Sequence, residues 1–183
     1  MAWVKSEYAG ELAVLSTWLV AIAPWSVSLF GGGQFTGVVF RFLPFRLQYL
    51  FGISVPNELT FLWAWEAATI QQGPTTLAAY LWTAVVEQNY TVLAGLLWTV
   101  GLAVFAVAFL ASVVYYVREE RFAAALPLDP VRLFGGLLGL VGLLTVVGTV
   151  FLNLTGGFAG TTVPVGALFA PVLSYLLLTV DRA

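Results

Sequence analysis

The sequence predicts an all-α integral membrane protein with four transmembrane helices and a small outer subdomain between the first and the second. Three observations predict this class. Of the 183 residues, 61% are hydrophobic and only 9% are charged, whereas soluble domains carry roughly 25% charged residues. Four uncharged stretches are close to the ~20 residues that cross a bilayer as a helix. A helix also satisfies its own backbone polar groups, which lipid cannot do.

The four predicted spans follow one another in a single membrane domain. They cover residues 12–30, 90–117, 133–152 and 163–180. The first span begins directly after Glu11 and contains Pro24. A secretory signal would open with a basic region and a shorter apolar core. The sequence therefore favours a retained first helix over a cleaved signal.

Residues 31–88 form the predicted outer subdomain, which is too long for a simple turn and too apolar for a free loop. Residues 40–42 and 45–49 alternate between aromatic or aliphatic and polar side chains, a pattern typical of strands. Leu43 and Pro44 lie between the two runs and suit a turn. We therefore predict a β-hairpin, with an irregular aromatic segment at the lipid surface as the alternative.

Two short helices, residues 57–70 and 75–86, are predicted to complete the outer subdomain. Asn57 can cap the first of them. Each is shorter than a transmembrane span, so the pair either lies on the membrane surface or enters it as a re-entrant hairpin. The alternative is one span through residues 60–86. That span would give five crossings and would put the two termini on opposite sides of the membrane.

The distribution of Lys and Arg residues orients the predicted spans. With four spans, the termini share one side with the loop 118–132, and this side holds Lys5, Arg118, Arg121, Arg132 and Arg182. Because cytoplasmic segments carry an excess of Lys and Arg, both termini and this loop are predicted to be cytoplasmic. Asn89 and Asn153 begin N-glycosylation acceptor triplets. This orientation places both candidate glycosylation sites on the outer face.

The chain contains no Cys and no His, and these absences exclude several chemistries. Disulfides, Cys or His zinc sites and His-ligated haem have no ligands here. A Ser-His-Asp or Cys-His nucleophile cannot be assembled. The net charge is −2 and no basic run is present, which argues against nucleic-acid binding. We therefore predict a protein that is not an enzyme and that has no cofactor.

Glu66 is the candidate ion or proton site. It is an acid with long apolar sequence on both sides, and an ionisable residue inside a membrane is a functional hypothesis by default. The alternative is that Glu66 faces water on an outer helix. The four-span prediction favours this alternative, because it leaves the segment outside the hydrocarbon core.

Arg41 and Arg46 are candidate contacts to lipid headgroups. Both lie among Phe and Tyr residues, and Arg beside aromatic rings near a lipid surface can bind anionic headgroups. The alternative is ordinary strand alternation, with both Arg side chains on the face that meets water. The sequence favours the alternative, although the two interpretations are compatible.

Small residues at helical spacing are candidate packing positions in the last two spans. They are Gly135, Gly139 and Gly142 in the third span and Gly166 and Ala170 in the fourth. Small side chains allow helix backbones to approach closely. The sequence does not decide whether these positions pack within the chain or against another protein.

The order of several segments resembles a known group of proteins. Residues 1–12 lead directly into the first span, which carries Ala-Pro-Trp at 23–25. A Phe-Arg-Phe motif opens residues 40–52, and Ser-Val-Val-Tyr-Tyr-Val-Arg-Glu occupies 112–119. The chain resembles small uncharacterised multi-pass membrane proteins of halophilic archaea. The resemblance covers most of the chain except residues 57–88, and it implies an archaeal habitat and a membrane topology but no activity.

These observations favour a non-catalytic polytopic membrane protein, acting as a structural or accessory subunit or as an assembly factor of a membrane complex. Its expected partners are the lipid bilayer and other membrane proteins or further copies of itself. The alternative function is a small oligomeric transporter or channel that uses Glu66. A membrane enzyme is the least favoured class, because no two acids are placed for acid/base work.

Overall fold

A computed structural model describes residues 8–32, 35–51, 59–63, 86, 90–154 and 160–180. Five helices lie within these ranges: α1 (Ala9–Ile22), α2 (Tyr90–Val117), α3 (Glu119–Ala125), α4 (Pro130–Leu154) and α5 (Val165–Thr179). The same ranges contain five strands: β1 (Ser26–Gly32), β2 (Phe35–Arg41), β3 (Phe45–Phe51), β4 (Leu59–Trp63) and β5 (Gly160–Val163).

Helix α4 lies at the centre of a helical bundle and contacts α1, α2 and α5. The first residues of α1 meet the end of α2, where Gly10 lies against the side chains of Tyr115 and Glu119. The last turn of α5 meets the beginning of α4, where Leu177 contacts Gly135. One end of the bundle therefore holds the start of α1, the end of α5 and the connection between α2 and α4.

Only α2 and α4 are long and apolar enough, among the described helices, to cross a membrane. They contain 28 and 25 residues, so at 1.5 Å per residue they measure ~42 and ~37 Å. Helices α1 and α5 contain 14 and 15 residues and measure ~21 and ~22 Å, less than the ~30 Å hydrocarbon core. Long apolar helices also occur in the cores of soluble proteins, so length and composition alone support membrane association only weakly.

The prediction of four transmembrane helices is therefore wrong, and two prolines explain why. The predicted first span stops at Ile22, where Pro24 biases the preceding residue towards extended backbone; Ala23 has φ −73° and ψ 133°. Residues 26–30 then form most of β1 instead of continuing the helix. In the predicted fourth span, Val163 ends β5 and Pro164 precedes α5.

The five strands form one antiparallel sheet in the order β4-β3-β2-β1-β5. Strands β2 and β3 pair around Leu43 and Pro44, and the amide of Phe42 donates to the carbonyl of Phe45 at 2.8 Å. The predicted hairpin is thus the central pair of a larger sheet. The predicted all-α class is therefore wrong, because β1 and β4 occupy segments predicted to be helical and β5 occupies a segment for which no strand is predicted.

The predicted pair of short outer helices is contradicted at its beginning. Residues 59–63 form β4, although the first helix was expected over 57–70. A Thr-Phe-Leu-Trp run is equally compatible with a strand, and pairing with β3 decides the outcome. The rest of the first predicted helix and nearly all of the second lie outside the described residues. The same holds for most of the alternative span through residues 60–86.

The core of the bundle is apolar and centred on α4. Its fully buried side chains include Val131, Phe134, Leu138 and Val141. Large apolar side chains are exposed on the same long helices, among them Val107 and Leu110 of α2 and Leu143 of α4. In the most apolar part of each long helix, about a third of the residues are buried within the molecule. The long helices therefore present apolar surface on their outer sides.

Candidate functional site

The two faces of the sheet have opposite character. Alternate residues of a strand point to opposite faces, and the register places Ser26, Ser28, Val39, Arg41 and Thr162 on one face. All five of these residues are buried. In most half-buried antiparallel sheets the buried face is apolar and the exposed face is polar. Here the buried face carries hydroxyl groups and a guanidinium group.

The opposite, outward face of the sheet is apolar and aromatic. Its exposed side chains include Leu29, Phe40, Phe51, Leu59, Phe61 and Val163. The ring of Phe45 stacks on that of Phe61 at 5.1 Å, and Tyr49 meets Phe51 edge-on at 4.7 Å. Among the side chains described on this face, none carries a charge. The outward face therefore exposes uncharged, mainly apolar and aromatic side chains on all five strands.

Three polar residues form a row across the buried face. Ser26 of β1 lies opposite Arg41 of β2, and Arg41 lies opposite Arg46 of β3. Arg41 donates a hydrogen bond to Oγ of Ser28, whose hydroxyl also bonds the hydroxyl of Thr162 at 2.7 Å. Strands β1, β2 and β5 are thus tied together by side chains as well as by their backbones.

The two arginines are held in an environment that disfavours their charge. Burial lowers the pKa of Arg41 to about 10, with the charge of Arg46 as the second cause. Burial also lowers the pKa of Arg46, which is half-buried. The Arg41 side chain, with a pKa of about 10, remains cationic at neutral pH. Like charges directly opposite each other destabilise a strand pair, so this row concentrates positive charge at an energetic cost.

Two polar atoms of this row have no hydrogen-bond partner. They are Oγ of Ser26 and Nε of Arg46, and both atoms are buried. Such orphaned groups cost about 1–3 kcal/mol each and call for an explanation. They belong to the two residues that flank Arg41 in the row, one on β1 and one on β3.

The side chain of Asn153 closes part of the outer edge of the sheet. Its amide nitrogen donates to the carbonyl of Thr162, and its amide oxygen accepts from the amide of Thr162, both at 3.1 Å. The side chain therefore imitates a neighbouring strand at β5. Glycosylation of Asn153 stays a prediction, and a sugar there would have to share a nitrogen that already donates this bond.

Two sequence-predicted site residues, Glu66 and Asn89, lie outside the described residues. Arg41 and Arg46 are brought together in the row, but Arg41 is 7% exposed, so it does not lie on a face that meets water. The alternative in which the Arg41 side chain faces water is therefore wrong, because the face of the sheet that carries Arg41 is turned inward. No group of three or more acidic residues that could hold a metal ion occurs in the described part of the chain.

The predicted packing residues lie where α5 is packed closely against α4 and against the segment between α1 and β1. Gly135, Gly139 and Gly142 of α4 face Leu177, Ser174 and Pro171 of α5, respectively. The hydroxyl of Ser174 donates to the carbonyl of Gly135 at 2.7 Å. Gly166 lies against the backbone of Pro24 and Trp25, and Ala170 is buried. In this structure these positions pack within the chain.

Sequence reasoning missed Ser26, Ser28 and Thr162. A signal was present for the first two, because Ser-Val-Ser-Leu-Phe after Pro24 alternates with the period of a strand. The same segment is uncharged, so hydropathy predicts that it continues the first span. Thr162 carries no local signal, since its place in the row depends on pairing between β1 and β5.

Comparison with known proteins gives a family but no activity. No curated protein matches the chain. Two segments, residues 2–88 and 82–182, match a family of unknown function, DUF7549. Together the matches extend over nearly the whole chain, including every described strand and helix. The chain therefore belongs to the DUF7549 family.

Proposed function

We propose that this protein is a non-catalytic integral membrane protein that acts as an accessory subunit or assembly factor of a membrane complex. The observation that carries this proposal is the reversed sheet, which buries Ser28 and Arg41 and exposes an apolar, aromatic face. Extended apolar patches at a protein surface mark sites of interaction with proteins or membranes. In this proposal the outward face of the sheet is the contact surface for a partner subunit.

The helical bundle is the membrane-embedded part in this proposal. Helices α2 and α4 cross the bilayer, which makes the protein multi-pass, and α1 and α5 pack beside them. Exposed apolar side chains such as Val107 and Leu143 then contact lipid. Lipid tails are as apolar as Leu, so these exposed positions carry no penalty in a membrane.

A protein partner, and not the hydrocarbon core, suits the outward face of the sheet. Among the described strands, β4 pairs with β3 alone, so within this part of the chain its other side has no strand to pair its backbone groups. Open sheet edges exposed to lipid do not occur within the hydrocarbon region. The sheet therefore belongs at the membrane surface, where an aromatic patch is best covered by another protein.

The sidedness of the proposal follows from charge. Arg118, Arg121 and Arg132 lie at the end of the bundle that also holds the start of α1 and the end of α5. Cytoplasmic segments carry the excess of Lys and Arg. We therefore place this end and both termini in the cytoplasm, and the sheet at the outer surface.

Single introduced thiols test this sidedness, because the native chain has no Cys. Thr161 and Ala124 are both exposed, at the edge of the sheet and in α3. In intact cells we expect a membrane-impermeant maleimide to label Thr161→Cys and to spare Ala124→Cys and Ala183→Cys until the membrane is permeabilised. Labelling of all three variants in intact cells would contradict membrane crossing, and the reverse pattern would invert the orientation.

Site-specific photo-crosslinking tests the partner surface. A photoreactive amino acid at Phe40 or Phe61, both exposed on the outward face, is expected to form a discrete adduct with another protein in native membranes. The matched control is the same probe at Val107, which is exposed on α2 and should react with lipid alone.

The mass of the adduct separates the remaining outcomes. An adduct of constant, larger mass at both sheet positions supports an accessory subunit. An adduct of twice the chain's own mass would show that the outward face binds a second copy of this chain and would contradict the accessory-subunit role. Lipid adducts alone at Phe40 and Phe61, as at Val107, would reject a protein partner for this face.

The alternative function, a transporter or channel that uses Glu66, stays a prediction because Glu66 lies outside the described residues. The resemblance to proteins of halophilic archaea stays a prediction, since the family match names no organism.

A further inference from the structure

We propose that the end of α2 binds an anionic phospholipid, whose acyl chain lies along Val107, Leu110 and Val114 and whose phosphate group meets Arg118. This site rests on the proposed crossing of α2 through the membrane. It gives one lipid a fixed place in the cytoplasmic leaflet, whereas the rest of the bundle requires only apolar surroundings.

A groove with a volume of about 260 Å³ lies at the end of α2 and is lined by Val113, Val114, Val117 and Arg118. The three valines are exposed, and their side chains offer water no hydrogen bonds. Among the described residues that line the groove, Arg118 is the charged one. An apolar groove that ends at a cation matches the two parts of an anionic lipid, a hydrocarbon chain and a phosphate group.

The apolar surface continues from the groove along α2. Leu110 and Val107 are exposed one and two turns before Val114, and spacings of three and four residues put them on one face of the helix. Val107 lies eleven residues before Arg118, which is a rise of ~16 Å. Half of the hydrocarbon core of a bilayer is ~15 Å thick. The stripe therefore has the length of one acyl chain that reaches the middle of the membrane.

An aromatic pair places the end of α2 at the level of the lipid headgroups. The ring of Trp18 lies 5.8 Å from that of Tyr116, and the Trp18 indole nitrogen donates to Oγ of Ser112 at 3.2 Å. Tyr116 is 70% exposed. Trp and Tyr are enriched where a membrane meets water. Arg118 follows Tyr116 by two residues, so its side chain lies at the depth of the lipid phosphates.

The side chain of Arg118 is positioned for a phosphate group. The amide of Arg118 donates to the carbonyl of Val114 at 2.9 Å, so Arg118 continues the last turn of α2 above Val114. The neighbouring acid, Glu119, accepts from the hydroxyl of buried Tyr115 at 2.7 Å and lies beside Gly10 of α1. Its carboxylate is thus held on the side of α2 that faces α1. A guanidinium group pairs with phosphate in a bidentate, charge-assisted manner.

Native mass spectrometry of the purified full chain in detergent tests the site. The protein is titrated with phosphatidylglycerol or with phosphatidylcholine of the same acyl chains. We expect the wild type to bind phosphatidylglycerol more tightly, and Arg118→Gln to weaken this binding about fivefold. Arg132→Gln is the matched control. It removes an equal charge from an exposed position at the same end of the bundle and should bind phosphatidylglycerol like the wild type.

Filling the groove tests the place of the acyl chain separately. Val114→Trp puts a large ring between Val113 and Val117 and should weaken phosphatidylglycerol binding to a degree similar to Arg118→Gln. The control is Val100→Trp, at an exposed position of α2 outside the groove, which should bind like the wild type. All four variants change exposed side chains, and size-exclusion chromatography and circular dichroism check that each is folded.

Two results would overturn the lipid site. One is equal binding of phosphatidylglycerol and phosphatidylcholine by the wild type. The other is wild-type affinity for phosphatidylglycerol in both Arg118→Gln and Val114→Trp. The thiol-labelling experiment separates these failures from a failure of the proposed function. Labelling of Thr161→Cys alone in intact cells, with either result, would reject the lipid site and keep the membrane crossing, whereas labelling of all three Cys variants would reject both.

Discussion

Gly166→Ala is expected to destabilise the protein by about 3 kcal/mol, the upper part of the range for overpacking a core. Gly166 begins the buried side of α5, and its amide donates to the carbonyl of Pro24 at 2.9 Å. A Cβ atom at this position would overlap that same carbonyl oxygen and would lie 2.8 Å from Cα of Trp25. Both neighbours are backbone atoms, so no side-chain rotation relieves the overlap.

The measurement is the free energy of unfolding in detergent, followed by circular dichroism. Gly136→Ala is the matched control, because a Cβ on Gly136 meets nothing within 4 Å. That variant should be unchanged or more stable by up to about 1 kcal/mol, through its higher helix propensity. Equal stabilities for the two variants would show that α5 does not approach Pro24 as closely as described.

Phe134→Ala is expected to lower the free energy of unfolding by about 3–5 kcal/mol. Phe134 is 0% exposed and stacks on Phe122 at 6.2 Å, while Tyr115 lies 5.8 Å away. These three rings join α2, α3 and α4 at one end of the bundle. Truncation to Ala leaves a cavity between three helices, which surrounding side chains cannot fill without moving a helix.

The control for this prediction is Leu143→Ala on the same helix. Leu143 is 60% exposed, and if that surface meets lipid or detergent, the change should cost less than about 1 kcal/mol, because the new surroundings remain apolar. Thermal unfolding in detergent measures both variants. A loss at Leu143 as large as that at Phe134 would place Leu143 in a protein contact and would contradict its exposure to lipid.

The two long helices could be predicted because their composition leaves few alternatives. An uncharged run such as 92–117 gains its backbone hydrogen bonds locally as a helix, so length and hydropathy suffice. The end of α1 near Pro24 and the start of α5 after Pro164 are harder to predict from the sequence. Hydropathy does not separate an apolar strand from an apolar helix, so it predicts spans that run through both prolines.

The sheet and its polar row could be predicted only in part. The alternation around Arg41 and Arg46 is local, and it identified both residues and the central hairpin. The addition of β1 and β5 is not local, because Ser28 and Thr162 pair across 134 positions of sequence. The inward direction of Arg41 also depends on what the sheet packs against, which alternation alone cannot reveal.

The pairing of β1 with β5 also sets an order of events during synthesis. Strand β1 leaves the ribosome early, but its neighbour at residues 160–163 follows only after α2 and α4 have been made. Translation proceeds at roughly 5–20 residues per second, so β1 waits about 6–27 s with one edge uncovered. The nascent chain therefore completes its sheet last, and a chaperone that shields β1 during this interval would have a defined task.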